Sequence, residues 1–191
     1  ASDGMTAVAA AAQKLANAAE AMAKVAIPGQ EHFWHQHNEV ALVRGKASEL
    51  ADGKDLPAMR VAYAALSSTF AKLLRVTGVP AAYEHEVQEL HCPMFLEEQG
   101  GAFWLQHSGG ARNPYFGSKM LTCFDKREAM PAGVTKGATM VEVKSPAIVA
   151  DGAPNGAPID VMVTAYLRAA SALAEDRTDG LAAAIHEVHQ Q

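Results

Sequence analysis

Two short runs carry the residue types best suited to chemistry, His91-Cys92-Pro93-Met94 and Met120-Leu121-Thr122-Cys123. Thiolate and thioether sulfur are soft donors that favour Cu(I) over hard cations, and thiolate also suits zinc. Met120 and Cys123 stand three apart, so on a helical turn they face the same way. Cys92 and Met94 stand two apart, and an extended or Pro-bent loop lets both side chains converge. Between the pairs, Asn113-Pro114-Tyr115-Phe116-Gly117 reads as a turn and helix start that returns the second pair toward the first. The spacing is not the Cys-x-x-Cys of a zinc site. It suits a Cys92–Cys123 disulfide as well, with Met94 and Met120 as core filler. On spacing alone, metal site and disulfide both stand.

Histidine supplies further candidate donors. On a helical wheel beginning near residue 31, His32 falls nearest the apolar stripe, His37 on its flank and His35 well away. His32 and His37 are therefore the candidate imidazole ligands. His91 is set aside, because adjacent residues of an extended segment point opposite ways and Cys92 takes the metal-facing direction. His85, His107, His186 and His189 have no pattern to single them out. Phe103, Tyr115 and Phe116 would shield a low-valent copper from water. Two cysteines, histidines and a methionine also make up the ligand set of the dicopper electron-transfer centre of respiratory oxidases. This chain lacks that centre's short cysteine spacing, and a dinuclear copper site stays open.

Helices must position these runs. Residues 5–25 are Ala-rich, with Val8, Leu15 and Met22 on a seven-residue spacing. A second helix is expected over 31–50, with Phe33, Val40, Val43, Ala47 and Leu50 as one stripe. A third is expected over 56–76, carrying Met59, Tyr63, Leu66, Phe70, Leu73 and Leu74, and Gly78-Val79-Pro80 stops it. A fourth runs over 159–176, and Asp179-Gly180 precedes a short one reaching Val188. Residues 81–125 read as an irregular site-bearing loop with short helices. The Pro- and Gly-punctuated stretch 126–158 reads as a linker, with a short strand at 139–143. The segment 2–7 resembles 178–183, as though the chain were one repeat cut inside a helical hairpin. The expected fold is mainly α, an antiparallel helical bundle with a long irregular site-bearing loop. Its parts are 1–125, a linker at 126–158, and a hairpin at 159–191 that completes the bundle or docks on a neighbouring copy.

Composition removes several classes. A 191-residue chain with 49% hydrophobic and 19% charged residues can bury a core. A net charge of −5 without a clustered basic face argues against a nucleic-acid partner. No apolar run reaches the roughly 20 residues of a membrane span. No Gly-x-Ser-x-Gly, phosphate loop or His-Glu-x-x-His occurs, so the reading is binding without turnover. The start at Ala1 fits a mature exported protein.

The motifs also carry a resemblance. Arg60, Tyr63, Leu66, Ser67 and Phe70, then His91-Cys92-Pro93-Met94, Phe103-Trp104-Leu105-Gln106, Asn113-Pro114-Tyr115-Phe116-Gly117 and Met120-Leu121-Thr122-Cys123 form a recurring pattern. The chain resembles a bacterial exported domain found at the C-terminus of copper/silver-efflux periplasmic adaptors and in stand-alone proteins. The likeness covers most of 3–124 and 159–188, but in rotated order, since residues 166–176 look like that domain's opening helix. The domain's Cys-Gly is here Cys123-Phe124. The resemblance implies a periplasmic or otherwise exported copper-binding protein with Cys92, Met94, Met120 and Cys123 facing the metal, Cu(I) favoured. It would act as carrier, sensor or efflux accessory, with an efflux complex or redox protein as partner, and a homo-oligomer or repeat neighbour is allowed. A copper electron-transfer protein and a disulfide-stapled bundle without metal are the alternatives.

Overall fold

The computed structural model describes residues 2–26, 32–80, 83, 85–133 and 157–175. Helix α1, Ser2–Met22, buries Val8, Leu15 and Met22 together with Ala12, Ala16 and Ala19. The alanines keep that face flat and let neighbouring helices approach closely. Helix α4, Leu56–Thr77, has clear end signals. The Asp55 carboxylate accepts the Ala58 N–H at 2.8 Å, Pro57 lies in the first turn, and Gly78 at φ +73° ends the helix. Its inner face holds Met59, Tyr63, Leu66, Phe70, Leu73 and Leu74, the stripe expected from three- and four-residue steps.

The expected helix over 31–50 is interrupted. A single turn, α2 at Phe33–Gln36, is followed by extended His37 (φ −114°, ψ 90°) and then by α3, Glu39–Ala51. A wheel drawn through His32 and His37 assumes a continuous helix, and that premise does not hold here. Helix α5, Pro158–Ala174, opens with proline and with the Ala157 N–H bound to the Asp160 carboxylate at 3.0 Å. It packs along α1 of its own chain, and α3 joins α1 to α4.

The mainly helical expectation needs correction. Residues 87–129 contain a three-stranded antiparallel sheet, so the fold is mixed α and β. Strand β1, Val87–Cys92, is central; β2, Ala102–His107, and β3, Lys126–Ala129, flank it. Val87 pairs with His107 at one end of β1 and Cys92 with Ala102 at the other. β1 and β2 are buried along most of their length, so neither shows the alternation of a half-exposed strand. β3 has the opposite problem, being exposed at all four positions. It lies at the start of the stretch read as a linker, and just beyond it Ala132 bridges Val79. The expected strand at 139–143, the helix reaching Val188 and the 178–183 half of the suspected repeat lie outside the described residues.

Tyrosine hydroxyls from elsewhere satisfy β2, an edge strand of the sheet. The Tyr115 hydroxyl donates to the Phe103 carbonyl, and the Tyr166 hydroxyl accepts the Leu105 N–H at 3.0 Å. An edge strand with bare backbone groups invites pairing with another chain, and these bonds occupy the groups. The Ser67 hydroxyl donates to the Tyr63 carbonyl at 2.8 Å, so the Tyr166 hydroxyl gives its own proton to Ser67 at 2.7 Å. Burial pushes the Tyr166 phenol up to about 12, which keeps that donor protonated. Among the described residues no helix is long and apolar enough to cross a membrane.

Candidate metal centre

Cys92 closes β1, fully buried, and Cys123 lies half-buried in the loop before β3. Strand alternation sends Cys92 to one face of the sheet and His91 to the other. Packing agrees: the His91 ring lies against Phe103, its register partner, at 4.5 Å between centroids. The fold brings the two sulfurs, 31 residues apart in sequence, to 3.5 Å, with both cysteines free.

Three clamps set that distance. His91 Nδ1 lies 2.6 Å from the Asp125 carboxylate, and the Asp125 N–H donates to the His91 carbonyl at 3.0 Å. These bonds tie the Cys123 loop to β1. His91 Nε2 donates to the Gly100 carbonyl at 2.8 Å. Gly101, at φ +89°, passes so close to the imidazole that a β-carbon there would collide with the ring. Asn113, wholly buried, makes the third clamp. Its amide donates to the Cys123 carbonyl at 2.8 Å, its side-chain oxygen accepts the Tyr115 N–H, and its own N–H reaches the Leu121 carbonyl. Arg60 Nε holds the next residue by the Pro114 carbonyl at 3.1 Å. The Asn-Pro-Tyr turn thus serves as the mount of Cys123.

Electrostatics follow from this packing. Burial pushes the Cys123 thiol up, and the hydrogen bond and charge of Cys92 push the same way, while the Met94 backbone N–H works against them. That last contact places the backbone of Met94 beside the Cys123 sulfur. The Asp125 carboxyl is held below its usual range, first by the hydrogen bond from His91. Phe95 stacks on Tyr115 at 4.4 Å and meets Phe116 edge-on at 6.1 Å, forming an apolar wall next to Met94 in sequence.

The thioethers stand at the surface: Met94 is 53% exposed and Met120 37%, so neither is the core filler of a closed bundle. His32 is exposed ahead of α2, and His37 lies on the Phe33 ring at 4.3 Å with Nδ1 3.8 Å from Glu39. Among the described residues no three His, Cys, Asp or Glu side chains gather as a metal cluster. The donor chemistry fits copper: two metal–sulfur bonds of about 2.3 Å each span up to about 4.6 Å, so sulfurs 3.5 Å apart can share one ion.

Sequence reasoning missed Asn113 and Asp125, and it passed over His85 and His107. The Asn-Pro dipeptide signalled a turn but not the bond to Cys123. The His–Asp contact depends on the pairing of β1 with β3. Fold and site together define a helix-and-sheet protein with a clamped pair of free cysteines and exposed methionines two and three residues from them in sequence. No family model, curated protein or solved structure matches the chain.

Proposed function

We propose that this chain is an exported copper-binding protein that holds Cu(I) between Cys92 and Cys123, with Met94 and Met120 as thioether donors. It serves as carrier, sensor or efflux accessory, without turnover. The observation that carries the reading is the 3.5 Å approach of two free cysteine sulfurs on a hydrogen-bonded mount, with exposed Met94 and Met120 two and three residues away from them along the chain. Soft sulfur supplies Cu(I) affinity. Exposure of Met94 and Met120 gives a route by which a partner's ligands can reach the ion. Copper bound there is held as Cu(I), and the Phe95–Tyr115 wall limits water beside it.

The same approach favours a second reading, a Cys92–Cys123 disulfide that staples the loop to β1. One experiment separates them: copper content and a visible spectrum of copper-loaded protein, beside Cys92→Ser and Cys123→Ser. The copper reading predicts stoichiometric copper in the wild type and loss in both variants. Intense visible bands would move the role from carrier to electron transfer through a thiolate-bound, dinuclear centre. No retained copper, with both cysteines oxidised to each other, rejects the metal and leaves the staple.

A further inference from the structure

A second group of donors converges at the opposite end of β1. His107 pairs with Val87 there, while Cys92 pairs with Ala102 at the sulfur end. Five residue steps separate these ends, about 17 Å at roughly 3.3 Å per residue. His85 and His107 present their rings 5.1 Å apart between centroids and nearly perpendicular, at 89°. Tyr83 stacks on His107 at 5.5 Å, with its hydroxyl 3.0 Å from Nε2 and 3.1 Å from Nδ1. Both imidazoles are exposed. Tyr83 and His107 line an open groove of about 350 Å³ against α5, where Arg168 and Glu175 contribute opposite charges.

We propose that His85, His107 and the Tyr83 hydroxyl form a second metal site, for a divalent ion of intermediate softness such as Cu(II) or Zn(II). Imidazole nitrogen suits these ions, and the phenol adds a harder oxygen donor. A metal–nitrogen bond of about 2.0–2.1 Å puts each ring centroid roughly 3.2 Å from the ion, so two rings on one ion lie within about 6.4 Å of each other. The observed 5.1 Å falls inside that limit, and small rotations of exposed side chains can aim the nitrogens. This donor set is independent of the cysteines, and the inference does not rest on the copper reading above.

The test uses the full chain with Cys92→Ser and Cys123→Ser together, titrated with Cu(II) alone and followed by electron paramagnetic resonance. One equivalent with hyperfine coupling from two nitrogens is expected. His85→Ala and His107→Ala, each added to that background, should weaken binding at least about tenfold. Circular dichroism checks that every variant keeps its helices. Cu(II) affinity indifferent to His85→Ala and His107→Ala, or a spectrum without two-nitrogen coupling, overturns the proposal.

Discussion

The helical layer and the 87–129 segment of this protein are held together by different physics. In α1, α3, α4 and α5 the contacts are apolar stripes, Val8, Leu15 and Met22 against Val43, Leu50 and the buried face of α5. Such packing is non-directional and tolerates small shifts. Between residues 87 and 129 the decisive contacts are directional: Asn113 on Cys123, His91 between Asp125 and Gly100, and two tyrosine hydroxyls on β2. The 3.5 Å approach of the two sulfurs depends on that second kind of contact. The helices supply stability, and the polar clamps supply position.

Phe70→Ala attacks the seam through Tyr166, because fully buried Phe70 lies 5.0 Å from the Tyr166 ring, whose hydroxyl accepts the Leu105 N–H of β2. Loss of a buried phenylalanine costs about 3–5 kcal/mol. If the two regions form one cooperative unit, far-ultraviolet circular dichroism and tryptophan fluorescence should lose their signals together at a lower denaturant midpoint. Two separated transitions would show that the sheet holds on its own.

Asn113→Ala and Asp55→Ala sharpen the contrast. Removing the Asn113 amide strands the buried Tyr115 N–H, at about 1–3 kcal/mol. It also frees the Cys123 carbonyl, so affinity for copper at the proposed cysteine site should fall by about tenfold or more with helix content retained. Asp55→Ala removes the α4 cap at a cost of about 1 kcal/mol and should leave copper affinity where it was. Equal copper affinities in the two variants, by competition with a Cu(I) chelator, would break the division between stabilising and positioning contacts.

That division also explains what could be read from residues alone. The extents of α1, α4 and α5 were legible because each buries one face at helical spacing, and Gly78 marks a stop. β1 and β2 were not, because burial on both faces hides their period, and Lys126-Arg127-Glu128-Ala129 carries no apolar signal at all. The sulfur residues stood out by type, whereas the approach of Cys92 to Cys123 depends on a loop returning to a strand. His85 and His107 were invisible as a pair. Only the register of Val87 with His107 brings them together.

The smallest predicted effect concerns that imidazole end and is one of pH. Partial burial of His107, together with His85, depresses its folded pKa below the ordinary value of about 6.5. As pH falls through the ordinary histidine range, the unfolded chain takes up a proton that the folded chain resists. Stability therefore declines from neutral pH downward, and the loss is complete once pH is below the folded value. His107 is largely solvent-exposed, so screening keeps this below the Asp55 effect. Melting temperatures at pH 7.5 and 5.5 for wild type and His107→Gln isolate it, since the two proteins differ only at that residue. The variant should lose less on acidification. An equal or larger loss would mean that His107 is not held in this partly buried place beside His85 in solution, and would break the contrast between a sulfur end and an imidazole end of β1.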